Sequence, residues 1–150
     1  EFRGISGDTT VYMRELSPAA DYARERVAYL LVTKGKEVLI ESFNFKMTPT
    51  DIFTDSKHEN RYKVPVSFGL SGKDASDPSR LFRGKLQKKK LRSRKDLLKK
   101  MNAAVRLVAS RYSEPVQYSY DVDYLLEVKM GARVERMSGV GRYEMYHWNK

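Results

Sequence analysis

The amino-acid sequence predicts an α+β domain, a curved antiparallel β-sheet packed against one long amphipathic helix. Three observations carry that expectation. Val116, Tyr118, Tyr120, Val122, Tyr124, Leu126, Val128 and Met130 alternate with side chains that are polar except at Leu125, the mark of a half-buried strand. Leu97, Leu98, Met101, Ala104, Val105, Val108, Ala109 and Tyr112 instead recur at helical spacing. Ahead of both lie short apolar runs punctuated by glycine-bearing turns.

Taken in order, Val11 to Leu16 predicts a short strand, and Ser17-Pro18 caps a brief helix through Arg26. Val27 to Thr33 and Glu37 to Met47 predict a β-hairpin around Lys34-Gly35-Lys36, with Gly35 supplying the positive φ. Met47 to Arg61 is polar and without periodicity, which predicts a long loop. Tyr62 to Leu70 alternates again, and Pro65, which has no amide hydrogen, assigns that strand to a sheet edge. Residues 71–93 are expected to form a flexible basic loop. Ser93 and Asp96 read as a capping box that opens the long helix, which Ser113-Glu114-Pro115 ends. Beyond the strand of residues 116–130, Gly131 bends the chain and Ala132 to Met137 continues the sheet. Ser138-Gly139-Val140-Gly141 then predicts a turn into a last strand, Arg142 to Trp148. This β-β-β-α-β-β order is similar to that of an OB-fold, and many other α+β sandwiches share it.

A chain of 150 residues fits one domain, residues 1–150. Its Glu1-Phe2 start matches a common cloning junction, so these two residues are expected to be foreign to the fold. The chain is then expected to belong to a larger protein with further domains. The absence of cysteine excludes a disulfide scaffold, thiolate metal sites and a cysteine nucleophile, and fits a reducing compartment. No apolar run approaches the ~18 residues of a membrane-spanning helix. A soluble intracellular protein is the expectation. His58 and His147 have no metal-ligand spacing, so neither metal nor cofactor is expected.

The charge is concentrated. Of a net charge of +10, all is accounted for by Arg80, Arg83, Lys85, Lys88, Lys89, Lys90, Arg92, Arg94, Lys95, Lys99 and Lys100, set against the single acid Asp96. The remaining 18 basic and 18 acidic residues cancel. Such a local excess points to a polyanionic partner, and neutralising phosphates releases counterions. Arg94, Lys95, Lys99 and Lys100 fall in the first two turns of the expected helix, where the macrodipole prefers anions, as if awaiting one. The string from Lys88 to Lys95 also reads as a nuclear-localisation signal. The expectation is therefore a nucleic-acid-binding domain, undecided between RNA and DNA, in the nucleus rather than the cytoplasm, with little sequence specificity. Tyr146 and Trp148 are candidate stacking residues, whereas Tyr118, Tyr120 and Tyr124 share the apolar face of their strand and belong to the core.

Two other readings start from the same residues. Leu81, Phe82, Leu86 and Leu91, interleaved with the cations, suit an anionic membrane surface. Glu127-Val128-Lys129, with Asp123 before it, matches the E-x-K of PD-(D/E)xK nucleases. Asp123 and Glu127 lie roughly 13 Å apart on a strand, too far to share one metal ion. A second carboxylate would have to come from Glu41, Asp51 or Asp55. The protein is accordingly expected to be non-catalytic.

Overall fold

Alternating apolar and polar side chains govern the fold far more widely than the sequence reading allows. The computed structural model describes residues 1–16, 27–43, 45–56 and 62–147. Nine antiparallel strands make up 72% of these residues and form one sheet. They are β1 (Phe2–Ser6), β2 (Thr9–Leu16), β3 (Val27–Lys34), β4 (Glu37–Ser42), β5 (Phe45–Thr54), β6 (Lys63–Lys73), β7 (Leu81–Asp96), β8 (Val116–Met130) and β9 (Arg133–His147). Their order is β4-β3-β2-β1-β9-β8-β7-β6-β5, so two meanders meet where β1 pairs with β9.

The sheet curls into a half-barrel, and its two ends are tied. Glu41 of β4 donates its amide to Asp74, just after β6, at 2.8 Å. The Ala75 amide donates to the Glu41 carbonyl at 2.7 Å. The concave side is the core, filled by Phe2, Met13, Leu30, Ile40, Val64, Phe82, Leu86, Tyr118, Val122 and Leu126 among others.

The α+β expectation is overturned. Ser93 and Asp96 belong to the end of β7, and the Asp96 carboxylate caps only a single 3-10 turn, Leu98–Lys100, by accepting the Leu98 amide at 3.0 Å. Met101 is extended, and Asn102 starts a short helix, α1 (Ala103–Ala109), by accepting the Val105 amide at 2.9 Å. The helical spacing is real, but the curled sheet encloses its own core, and of the expected helix face only Leu98 is buried. Val105 and Val108 stay exposed.

Residues 71–93 are not a flexible loop. Beyond Lys73 and a tight turn held by Asp74, Leu81 to Asp96 pairs along its whole length with β8. Residues 47–54, expected in a loop, complete β5. Pro65 lies within the sheet, in the part of β6 that pairs with β5 alone, since pairing with β7 begins at Ser67.

The expected turn at Gly139 and Gly141 is continuous β9. Both glycines face the core, where a Cβ on Gly141 would come within 2.3 Å of the Phe2 ring. They are a seat for an aromatic ring. Phe2 itself is fully buried and its strand pairs on both sides, so the first residues are part of the packing. The β3–β4 hairpin turns at Gly35 with φ +56°, as expected. The expected helix from Ser17 to Arg26, together with His58 and Trp148, lies outside the described residues.

Candidate nucleic-acid interface

β7 carries most of the basic run, and two irregularities decide where each cation points. The ladder with β8 shifts register between Lys88 and Lys90 and again between Leu91 and Ser93. Each β-bulge reverses the alternation of the side chains beyond it. Phe82, Gly84, Leu86 and Lys88 stand on the concave side. Lys90, opposite Asp121, and Lys95, opposite Gln117, return to the convex side with Arg83 and Lys85.

The acids of β8 claim part of this convex charge. Arg83 reaches Glu127 at 2.9 Å, and Arg136 of β9 reaches the same carboxylate at 2.8 Å. The hydrogen bond from Arg136, together with Arg83, holds Glu127 below the ordinary carboxylate range. Lys89 lies 3.4 Å from Asp123 and Arg92 2.6 Å from Asp121. Arg80 pairs with Asp77 at 3.3 Å.

Two of the eleven cations turn away from the convex side of β7. Arg94 donates to both oxygens of Asp55, at 3.0 and 3.1 Å, and the Tyr118 hydroxyl donates to the same carboxylate at 2.9 Å. This partly buried knot ties the end of β5 to β7 and β8. Lys88 points inward, its Nζ 3.6 Å above the Tyr120 ring centroid. Burial lowers its pKa from 10.5 to about 7.

Lys85, Lys90, Lys95, Lys99 and Lys100 remain exposed, with no acidic partner among the described residues. The first three stand along the convex side of β7 over roughly 30 Å. The row leads into a cleft of about 810 Å³ between the end of β7, the Leu98–Lys100 turn, α1 and the start of β8. Lys95, Lys99, Lys100 and Arg106 line it together with the Asp55-bound Arg94, opposed by Asp96 and Glu114. The expectation of cations at a helix N-terminus is thus corrected: Arg94 and Lys95 lie in a strand, and Lys99 and Lys100 in a 3-10 turn.

Tyr146 is exposed and accepts a hydrogen bond from Gln117 at 2.9 Å. Lys95, Gln117 and Tyr146 are successive partners across β7, β8 and β9, so this ring shares the convex face two strands from Lys95. Tyr118, Tyr120 and Tyr124 are buried, as the face they share with Val122 implies.

Arg106 and Arg142 escape the sequence reading. Arg106 sits in a segment read only for its apolar stripe, and Arg142 meets Asp121 across the β8–β9 ladder. The alternation of Asp121, Asp123 and Glu127 was the available signal that β8 would answer a basic neighbour.

The residues of the other readings are dispersed. Phe82 and Leu86 are buried in the core, while Leu81 and Leu91 are exposed. Asp123 and Glu127 are engaged with cations, Lys129 is exposed, and Asp55 is taken by Arg94 and Tyr118. No group of three metal-ligating side chains occurs among the described residues. None of their helices is long and apolar enough to cross a membrane. Comparison of the chain with models of known protein families gives no match, and comparison with curated proteins gives none either.

Proposed function

We propose that this chain binds nucleic acid through the phosphate backbone, on the convex face of β7 and the basic cleft that continues it. The carrying observation is the unpaired row Lys85, Lys90 and Lys95, prolonged by Lys99 and Lys100. Exposed ammonium groups without acidic partners are the side chains whose counterions a polyanion displaces at least cost. Their spread along a strand suits a repeating charge. It provides no fork of donors for a base edge, so recognition is of low specificity. Tyr146, on the same face, offers one stacking surface to an unpaired base.

The membrane reading loses two of its four anchors, because Phe82 and Leu86 are core residues. The nuclease reading lacks a free acidic pair, because Glu127 is bridged by Arg83 and Arg136.

The test is a salt series with labelled single- and double-stranded DNA and RNA. Replacing Lys85, Lys90, Lys95 and Lys99 by Gln lowers affinity and flattens the log K against log salt slope by up to about 3–4 for duplex DNA. The charge-matched variant with Lys36, Lys46, Lys63 and Lys73 replaced by Gln keeps most of the slope. Equal losses in both variants would reduce the interaction to net charge. Absence of binding at low salt, or preferential binding to anionic vesicles, would overturn the reading.

A further inference from the structure

The concave side of the half-barrel holds a second candidate site, unrelated to the convex lysines. A slot of about 450 Å³ opens between β2 and β9 on one wall and β5 and β6 on the other. Its apolar lining includes Met13, Met47, Met145, Phe68 and Tyr143. Methionines are unbranched and polarizable, and they adapt to a guest better than β-branched side chains. The volume falls in the range of roughly 300–1,000 Å³ usual for small-molecule sites. His147, the last residue of β9, also lines this slot.

Among the buried polar atoms with no hydrogen-bond partner among the described residues are His147 Nε2, in the lining of the slot, and Lys88 Nζ and the Tyr120 hydroxyl, beyond that lining on the concave side. Ring contacts link them. Tyr118 meets the His147 ring edge-on at 6.0 Å and stacks with Tyr120 at 6.1 Å, and Lys88 lies over Tyr120. Buried polar groups are normally satisfied, and each one that is not calls for an explanation, such as a bound water, ion or ligand. Asp55, whose charge acts on Tyr120, is committed to Arg94 and Tyr118.

We propose that the slot binds a single-chain amphiphile with a carboxylate head. Its chain lies among Met13, Met47, Met145 and Phe68, and its head turns to Lys88, Tyr120 and His147. A carboxylate only accepts hydrogen bonds, and Lys88 and Tyr120 supply unused donors. Of the acids at the slot, Glu1 turns its carboxylate to Arg3 and Glu144 to Gln117 on the convex side, and Glu15 of β2 is the one in phase with Met13. Glu15 directs an anionic head away from β2 and toward β7. Burial, reinforced by the charge of Lys88, keeps His147 below its ordinary pKa. An anion between Lys88 and His147 would draw both groups back toward their charged forms.

Calorimetric titration of the chain at pH 6 with dodecanoate and with dodecan-1-ol, both kept monomeric, tests this. Dodecanoate binds one per chain, at least tenfold more tightly than the alcohol. Lys88→Met brings dodecanoate down to the level of the alcohol and leaves the alcohol unchanged. Met145→Trp, which fills the slot, weakens both at least tenfold, and Met47→Trp on the facing wall serves if Met145→Trp fails to fold. No saturable dodecanoate binding by the unaltered chain would overturn the proposal. So would unchanged affinity in Lys88→Met, or in whichever Trp variant folds.

Discussion

The two sides of β7 put the same residue types to opposite use. On the convex side Lys85, Lys90 and Lys95 stand free in water, while Arg83, Lys89 and Arg92 lean on the acids of β8. Toward the concave side Lys88 is desolvated over a tyrosine ring, and Arg94 is clamped by Asp55. A count of eleven cations therefore overstates what a partner can meet. Charge density along a chain becomes surface charge only after the pleat and its bulges have sorted the side chains.

The comparison breaks most visibly at the neighbouring pair Leu81 and Phe82. Phe82 is 3% exposed and packs edge-on against Phe45, whereas Leu81 is 47% exposed. Phe82→Ala is expected to cost about 3–5 kcal/mol in urea unfolding, by loss of burial and the cavity left behind. Leu81→Ala should stay within about 0.5 kcal/mol. Similar costs at both positions would mean that the alternation of β7 is misplaced.

That alternation was only half legible beforehand. Phe82 and Leu86 show the period of a strand, but the bulges at Lys89 and Arg92 scramble it, and the segment from Lys88 to Ser93 resembles a basic loop. The stretch from Leu97 to Tyr112 carries a true helical period, yet the stripe finds no face to pack on, because strands already surround the core. Gly139 and Gly141 read as a turn, since a glycine making room for an aromatic ring, Tyr124 at Gly139 and Phe2 at Gly141, has the same signature as one that bends the chain. β8 and the Gly35 hairpin were legible because their local patterns agree with their tertiary surroundings. Of the candidate site, the local excess of charge was visible. Its division among free, paired and inward cations depends on contacts across strands, which no one-dimensional spacing contains.

Lys88 sharpens the contrast through pH. Its amine has a pKa of about 7 in the folded chain against an ordinary 10.5. Between those values the unfolded chain binds a proton that the folded chain does not, so this residue makes stability rise with pH across that window. Cation–π attraction to Tyr120 favours the charged amine and only partly offsets its desolvation. His147, also lowered by burial, contributes in the same direction but below about pH 6.5. Lys88→Met should be more stable than the unaltered chain by about 1–3 kcal/mol at pH 7, from removal of an unpartnered buried polar group. The advantage should shrink between pH 7 and pH 10 in urea unfolding. A gap that stays constant would show that Lys88 keeps its charge, and the inward half of the comparison would fail.

The smallest expected effect probes the acids that shadow the convex face. Asp121 is bonded to Arg92 at 2.6 Å and faces Lys90 and Arg142 across its two ladders. The Arg92 side chain is 56% exposed, and pairs of this kind contribute about 0–1 kcal/mol to stability. Asp121→Asn should therefore shift the unfolding midpoint barely at all. It removes one negative charge and releases one guanidinium, so affinity for nucleic acid at low salt should rise a few-fold, and the salt slope should steepen by up to about 1. Glu144→Gln removes a charge of the same sign from the same face without releasing a bonded arginine, and it should raise affinity less. If the two variants were indistinguishable, the ion pairs of β8 would be mere contributors to net charge. A larger gain for Asp121→Asn would show that β8 withholds a cation that β7 could otherwise present.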